Sequence, residues 1–291
     1  MQYIHPITDK TYEEYLRDES RSTGWAEAIA FPQDEEQVRE ILKAARDSHT
    51  PVTVQGARTG LTGAAVPYGG YILNMSRMSK ILGLRQEGDS LFIRVQPGLL
   101  LTQLNKMLEQ KSFDVTGWSA ESQKILENIK AWQWIFPPDP TEISASIGGM
   151  VSCNASGAKT FFYGPTRNYV EAIRAVLPGG DVIAVRRGGS MARCRDFDLV
   201  TEGGRHMTGR LPSYTVPKVK SAAGYYIDEN MDLIDLFIGA EGTLGVIMEI
   251  ELKLVKAPAM RIGTVAFLQD RQSALVLVRA LRKEALPEGT S

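Results

Sequence analysis

The segment 136–164 constrains this chain most, because it reads FPPDPTEISASIGGMVSCNASGAKTFFYG and holds few core-forming residues. Its prolines fix the backbone and remove hydrogen-bond donors, so its first part is a rigid bend. Gly148 and Gly149 remove two consecutive Cβ atoms, which opens positive φ angles and lets another molecule approach the main chain. The nearby hydroxyl and amide side chains are neutral hydrogen-bonding groups. This composition predicts a backbone cradle for a phosphate-bearing ligand.

Two other glycine-rich loops flank short apolar runs. Residues 54–63 read VQGARTGLTG directly after a β-branched run, and residues 239–246 read GAEGTLGV directly before another. Gly56, Gly60 and Gly63 are not spaced as in the dinucleotide fingerprint, and no acidic residue follows at the usual distance. A standard NAD site is therefore excluded. Taken singly, each of the three segments also fits a tight turn or a proline-rich linker.

In their order along the chain, PPDP before IGG and GAEGTLG at the end, the three loops resemble the FAD-binding domain of the vanillyl-alcohol oxidase and p-cresol methylhydroxylase flavoproteins. The likeness covers about residues 24–255 and is strongest to the branch of the glycolate oxidase flavin subunit and D-lactate dehydrogenase. It implies an α+β fold in which two small α/β subdomains hold FAD between them. It also implies an N-terminal extension (1–24), an FAD-binding domain (25–256, with subdomains of about 25–110 and 111–256) and only the start of a cap domain (257–291).

The resemblance assigns the first loop to the FAD pyrophosphate, held by the backbone N–H groups of residues 57–60. It makes residues 146–157 the main flavin shell and brings the third loop close to the ribityl or adenine portion. The predicted cofactor-binding residues are Gln55, Gly56, Ala57, Arg58, Thr59, Gly60, Leu61, Pro138, Asp139, Thr141, Ser146, Gly148, Gly149, Asn154, Ser156, Gly157, Tyr163, Glu241, Gly242, Val246 and Ile247. The first loop has no His and Cys153 matches no flavin-linking position, so non-covalent FAD is expected.

Composition excludes several other classes. The 291 residues carry a net charge of −1 with acids and bases interspersed, which argues against a nucleic-acid partner. No apolar run reaches the length of a membrane span. The N-terminal MQYIHPITDKTYEEY lacks a signal-peptide pattern, so a cytoplasmic location is expected. The two cysteines and three dispersed histidines lack metal-ligand spacing, and no metal is expected.

Periodicity predicts the regular elements. In DEEQVREILKAARDSH, the residues Val38, Ile41, Leu42 and Ala45 form one apolar helix face, with Asp34 as the N-cap. Helices are also predicted at 100–111 and 270–284. Strands are predicted at 52–54, 71–74, 81–84, 91–96, 170–176, 182–185, 247–255 and 262–268.

Two segments depart from the family pattern. Residues 112–135 are amphipathic and contain Trp118, Trp132 and Trp134. They are predicted to form a surface helical insertion, with a partner-docking surface as the alternative. Residues 186–217 are polar and lack a period, so a mobile excursion is predicted rather than a packed unit.

The resemblance implies an enzyme that oxidises a 2-hydroxy acid to a 2-oxo acid and passes electrons to a separate acceptor. The general base that such chemistry requires is expected in the cap, so the catalytic residues stay unassigned. Three explanations compete: a truncated chain or split gene, a subunit or homo-oligomer whose partner supplies the cap, and a flavin protein that moves electrons without this substrate chemistry. A rival hypothesis is a non-catalytic scaffold that binds a partner through the Trp-rich segment and exposed residues such as Val276 and Leu277.

Overall fold

The computed structural model describes residues 4–8, 10–217 and 219–284. Contacts divide the chain into two units, Met1–Lys256 and Ala257–Ser291. The helices are α1 (Glu35–Asp47), α2 (Leu101–Gln110), α3 (Ala120–Asn128), α4 (Ile147–Ser152), α5 (Thr160–Tyr163), α6 (Ile234–Phe237) and α7 (Arg271–Glu284). The strands are β1 (Ile4–Pro6), β2 (Ala28–Ala30), β3 (Val52–Gln55), β4 (Tyr71–Asn74), β5 (Ile81–Glu87), β6 (Ser90–Val95), β7 (Trp134–Ile135), β8 (Val170–Val176), β9 (Val182–Arg186), β10 (Asp196–Val200), β11 (His206–Arg210) and β12 (Val246–Lys256). Short 3₁₀ turns lie at Lys10–Leu16, Met75–Arg77 and Thr166–Tyr169.

The first sheet has the order β1-β2-β4-β3, with β2, β4 and β3 parallel and β1 antiparallel to β2. Helix α1 lies between β2 and β3 in sequence, as the crossover of parallel strands requires. Asp34 caps α1 by accepting a 2.9 Å hydrogen bond from the Gln37 N–H, and the predicted apolar face is buried. Strand β1 belongs to this sheet, so residues 4–6 of the predicted N-terminal extension pair with the fold.

The second sheet is antiparallel, with the order β5-β6-β12-β8-β9 and β7 paired to the end of β12. Strands β5 and β6 already belong to this sheet, which therefore begins before the predicted subdomain boundary near residue 110. The chain passes from the first sheet to the second between β4 and β5. A buried cluster that includes Val38 and Ile41 of α1 and Val246 and Met248 of β12 joins the two sheets.

The segment 112–135 is mostly exposed but contributes Trp118, Ile125, Ile129 and Trp134 to the core of the second sheet, so it is more than a surface insertion, and its role as a docking surface stays a prediction. Trp118 and Trp134 are buried, whereas Trp132 is exposed. The Trp118 indole N–H donates to the Ile81 carbonyl at 2.8 Å, which satisfies its polar atom within the core. Ser122 of α3 bonds both backbone groups of Leu84 on β5.

The segment 186–217 packs on the same core through a β-hairpin, so the predicted excursion is also wrong. Strands β10 and β11 pair in antiparallel register, and Leu199 and Leu211 are buried in the main core. Cross-strand ion pairs of Asp196 with Arg210, at 2.9 Å, and of Asp198 with His206, at 2.8 Å, lie on the outer face. The polar composition therefore reflects one solvated face of a hairpin.

The second unit is described to residue 284. Its helix α7 begins after Asp270, whose carboxylate accepts a 2.8 Å hydrogen bond from the Ser273 N–H. The strand predicted at 262–268 is absent, and the described part of this unit contains no other strand with which its backbone could pair. None of the helices in the described part of the chain has the length and apolarity needed to cross a membrane.

Candidate functional site

A cleft of about 470 Å³ lies within the first unit, where the three glycine-rich loops meet. Its walls come from the loop after β3, the start of α4 and the loop that enters β12. Of the predicted cofactor-binding residues, those that line it are Gln55, Gly56, Ala57, Arg58, Thr59, Gly60, Leu61, Thr141, Ser146, Gly148, Gly149, Ser156, Glu241, Gly242 and Ile247. The volume is in the range of small-molecule and cofactor sites.

Gln55 holds the first loop in place. Its side chain is fully buried, and its Nε2 donates 2.7 Å hydrogen bonds to the carbonyls of Tyr15 and Ala65. Asn74 on the neighbouring strand donates to the Gln55 Oε1 and to the Gly56 carbonyl, both at 3.4 Å. These bonds fix both ends of the loop, so the backbone between them is presented to the cleft in one conformation.

Ser146 joins the first loop to α4. Its Oγ caps the helix by accepting from the Gly149 N–H at 3.3 Å, and it accepts from the Ala57 N–H at the same distance. A Cβ at Gly56 would lie 2.1 Å from this oxygen, so only glycine permits the approach. The close contact explains why the sequence places glycine at this point of the first loop.

The backbone N–H groups of Arg58, Thr59 and Gly60 donate to no acceptor in the part of the chain that the structure describes. Arg58 adopts the left-handed conformation, with φ 60°. These three residues are half-buried on the cleft wall, and successive N–H groups in such turns form concavities that bind anions. This stretch of the cleft wall therefore offers backbone donors that no described protein group uses.

The two adjacent positions in α4, Gly148 and Gly149, are occupied by glycine for different structural reasons. A Cβ at Gly148 would lie 2.5 Å from the Pro97 Cβ and 2.9 Å from the Pro97 carbonyl oxygen, so Gly148 permits helix packing. A Cβ at Gly149 would meet only the Ser146 Oγ, at 3.0 Å, and would otherwise enter the cleft. Gly149 is thus the position where a side chain would compete with a ligand.

The third loop is tied to α4 and to a buried arginine. The N–H groups of Gly239 and Glu241 donate to the carbonyls of Val151 and Ser152, at 3.0 and 2.8 Å. The Arg167 guanidinium pairs with Asp235 at 2.9 Å and donates to the Ile238 carbonyl, just before the loop. These contacts hold the Glu241 backbone at the mouth of the cleft.

Six predicted residues lie outside the cleft wall, namely Pro138, Asp139, Asn154, Gly157, Tyr163 and Val246. Asp139 and Gly157 support the wall from behind: a Cβ at Gly157 would lie 1.6 Å from the Asp139 carbonyl oxygen, and the Lys159 N–H donates to the Asp139 side chain. Asn154 accepts from the Arg167 N–H, and Tyr163 packs partly buried against the main core. Pro138 and Val246 are buried.

The side chains that line the cleft are mostly apolar or neutral, with three acids, Glu19, Glu142 and Glu241, and one base. That base, Arg58, pairs with Glu14 at 3.1 Å and stacks over the Tyr15 ring at 4.1 Å. No histidine lines the cleft. In the described residues, no three His, Cys, Asp or Glu side chains are grouped so that they could hold a metal ion.

Cys153 lines the cleft together with Glu241, although the sequence analysis matched it to no position in contact with a flavin. Burial raises the pKa of Cys153 to about 11, with a further contribution from the carboxylates of Glu241 and Asp18. The thiol is therefore protonated at neutral pH and is a weak nucleophile. Glu19 is a second lining residue that sequence reasoning missed, because its segment carries no motif.

Comparisons with known proteins identify the family of this chain. The family model described as "FAD binding domain" matches residues 26–125 and 120–186, more than half of the chain. The D-lactate dehydrogenase of Anaerostipes hadrus is 30% identical over 275 residues, which are 94% of this chain and 46% of that protein. The glycolate oxidase subunit GlcD of Bacillus subtilis is 28% identical over 85% of this chain and 41% of its own length. The structure of 6-hydroxy-D-nicotine oxidase from Arthrobacter nicotinovorans superposes with a TM-score of 0.57 at 16% identity, covering 88% of this chain and 43% of that one.

Proposed function

Because the chain belongs to the FAD binding domain family, we propose that it forms the cofactor-binding part of an FAD-dependent oxidoreductase that oxidises a 2-hydroxy acid to a 2-oxo acid. The names of two relatives, a D-lactate dehydrogenase and a glycolate oxidase subunit, support this substrate class. The chain spans less than half the length of these relatives. The proposal therefore concerns the cofactor-binding residues and names no residue that binds the hydroxy acid.

The observation that carries the proposal is the row of unpaired N–H groups at residues 58–60 on the wall of the cleft. A pyrophosphate offers the oxygen acceptors that these donors lack, and the only base in the lining is already paired. Binding through neutral N–H groups needs no additional cation. The donor set of the cleft thus fits FAD.

Other residues that line the same cleft are proposed to contact the rest of the FAD molecule. Ser146, Gly149 and Ser156 are proposed to lie along the flavin and its ribityl chain, with Gly149 leaving the space that the cofactor fills. Glu241, Gly242 and Ile247 close the other side from the third loop. These residues would hold FAD, which would supply a hydride acceptor for the hydroxy acid and a relay of electrons to a separate acceptor. The protein supplies binding, orientation and exclusion of water.

Attachment of the cofactor is proposed to be non-covalent. The first loop contains no histidine, and Cys153 is the one thiol on the wall of the cleft. Its pKa, raised to about 11 by burial, keeps it protonated and disfavours addition to a flavin. The cytoplasmic location inferred from the sequence stays a prediction.

The substrate proposal is tested by anaerobic titration of the FAD-loaded protein with D-lactate, L-lactate and glycolate, followed by the visible absorption of the flavin. Loss of the oxidised flavin's absorption with one of these acids supports it. Reduction by dithionite but by none of the hydroxy acids, with or without co-purified chains, would contradict the substrate proposal and leave FAD binding standing.

A second candidate function is a flavin-binding subunit that needs a partner chain for activity. The observation that favours it is the likeness to GlcD, which is named as a subunit of glycolate oxidase. Purification from the native host under mild conditions tests it. A stoichiometric second polypeptide that restores turnover with a hydroxy acid supports the subunit function, whereas turnover by the isolated chain would exclude that requirement.

A further inference from the structure

The first loop contains a residue in a backbone conformation that is costly for a side chain. Arg58 lines the cleft in the left-handed conformation, with φ 60°, which residues other than glycine rarely adopt. Turns of this kind bring successive N–H groups into a concavity, and the unused N–H groups of residues 58–60 begin at Arg58. Such a conformation persists only where surrounding contacts hold it. The contacts of Arg58 therefore decide whether the donors of the first loop keep their position.

Three contacts to Arg58 come from one short N-terminal segment, residues 14–19. The Arg58 guanidinium lies over the Tyr15 ring, 4.1 Å from its centroid, and pairs with the Glu14 carboxylate at 3.1 Å. The Glu19 N–H donates to the Arg58 carbonyl at 3.3 Å. The side chain and the backbone of Arg58 are thus both held by the same segment.

This segment is itself anchored to the core of the first sheet. The Tyr15 ring packs edge-on against Phe31, with 5.3 Å between the ring centroids, and joins the buried cluster to which Phe31 belongs. The Tyr15 carbonyl accepts a 2.7 Å hydrogen bond from the Nε2 of Gln55, at the start of the first loop. Tyr15 therefore connects the first sheet to both Gln55 and Arg58.

We propose that residues 14–19 form a clamp on the first loop and that Tyr15 is a positioning residue, which holds Arg58 in the left-handed conformation so that the N–H donors of residues 58–60 face the pyrophosphate of FAD. This inference rests on the proposed FAD site. Tyr15 acts through Arg58 and does not itself line the cleft. The clamp lies outside the three glycine loops and outside the family match at residues 26–186.

Tyr15→Leu removes the ring over which the guanidinium lies and keeps the backbone carbonyl that Gln55 uses. We expect it to raise the Kd for FAD about two- to fivefold, which is the factor that a cation–π contact of this kind contributes. Tyr15→Phe keeps the ring and is expected to bind FAD as the wild type does. Tyr12→Leu is the matched control, because Tyr12 packs on the same cluster, with 6.1 Å between its ring centroid and that of Phe31, whereas the stack on Arg58 belongs to Tyr15. It is expected to lower Tm as Tyr15→Leu does and to leave the Kd unchanged.

The experiment is a titration of each apo-protein with FAD, followed by quenching of flavin fluorescence, with thermal unfolding of the apo-protein in parallel. A double-mutant cycle with Arg58→Met separates positioning from a general loss of stability. Because Tyr15 acts through Arg58, adding Tyr15→Leu to Arg58→Met is expected to change the Kd by less than about twofold, although Tm falls further.

Wild-type affinity for FAD in Tyr15→Leu would overturn the proposal. An equal loss of affinity in Tyr12→Leu or in Tyr15→Phe, or the full loss on top of Arg58→Met, would overturn it as well. Failure of the wild-type protein to bind FAD would instead refute the proposed function, so the two failures are distinguishable.

Glu14→Gln decides the question if Tyr15→Leu does not fold. Removing a negative charge strengthens the binding of an anionic ligand when the charge acts only at a distance, whereas loosening Arg58 weakens that binding. We expect the Kd for FAD to rise about twofold, as the loss of an exposed ion pair allows. Equal or tighter binding by Glu14→Gln would refute the clamp.

Discussion

Gly149→Val separates ligand binding from folding. The new Cβ would meet only the Ser146 Oγ, at 3.0 Å, and the rest of the side chain would enter the cleft. Disturbing the Ser146 cap costs about 1 kcal/mol, and replacing a helical glycine by valine returns a few tenths of that. The net change in the free energy of unfolding is therefore within about 1 kcal/mol, or roughly 2–4 °C in Tm for a unit of this size.

The effect of the same change on FAD binding is expected to be larger. Three carbon atoms would occupy space in the cleft, and overfilling a packed site costs about 1–3 kcal/mol or more. This corresponds to a loss in FAD affinity of about tenfold to more than hundredfold. The affinity is measured by titration of the apo-protein with FAD, and Tm by circular dichroism of the same preparation.

The matched control is Gly148→Val. Its Cβ would lie 2.5 Å from the Pro97 Cβ and 2.9 Å from the Pro97 carbonyl oxygen, so the backbone must move. We expect a Tm about 5–10 °C below that of the wild type, because overpacking of this kind costs a few kcal/mol. Wild-type affinity for FAD in folded Gly149→Val would refute the assignment of the cleft.

Three further changes have outcomes that follow from single contacts. Gly157→Ala would bring a Cβ to 1.6 Å from the Asp139 carbonyl oxygen, so we expect a loss of about 3 kcal/mol or more in urea unfolding and a weakened cleft wall. Arg167→Met would remove one of the two arginine partners of Asp235 and the donor to the Ile238 carbonyl; because Arg187 stays paired with Asp235, we expect a loss of about 1–3 kcal/mol together with weaker FAD binding. Folding favours the neutral thiol of Cys153, because the folded-state pKa is raised to about 11. The contribution of this thiol to the free energy of unfolding is complete below the unfolded-state pKa of 9.0. It is lost as the pH rises through 11. Alkylation of Cys153 by iodoacetamide, followed by mass spectrometry, is accordingly expected to be slow at pH 8 and to accelerate toward pH 11.

Each of these changes has a control. Gly60→Ala places a Cβ where no atom lies within 4 Å, so its Tm is expected to match the wild type. Arg46→Met removes an exposed pair with Asp47 and is expected to cost less than about 1 kcal/mol. Exposed Cys194 reports the intrinsic reaction of a thiol with iodoacetamide. A Cys153 that reacts as fast as Cys194 at pH 8 would contradict the raised pKa.

The sequence predicted the elements whose local signals agree with their packing. Helix α1 has an N-cap, an acidic first turn and one apolar face, and all three features appear in the fold. The glycine loops were predictable for a similar reason, because the close approach of Gly56 to Ser146 permits no side chain. Fifteen of the predicted cofactor-binding residues line the cleft, and their contact with FAD stays a prediction.

The predictions that proved wrong concern segments whose structure depends on distant partners. The indole of Trp118 is buried because the Ile81 carbonyl, far away in sequence, accepts its N–H. Hairpin β10–β11 has one buried face, and the alternation of Asp196, Phe197, Asp198 and Leu199 was a signal that its overall polarity concealed. Residues 262–268 have strand-like composition but no strand to pair with in their own unit.

The absorption spectrum of the purified protein, followed by acid release and chromatographic identification of any chromophore, tests the central claim most directly. The account predicts a yellow protein, or a colourless one that becomes yellow with added FAD, and release of unmodified FAD at about one per chain. A protein that stays colourless in excess FAD would contradict the assignment of the cleft as an FAD site. It would also remove the basis for an oxidoreductase function of this chain.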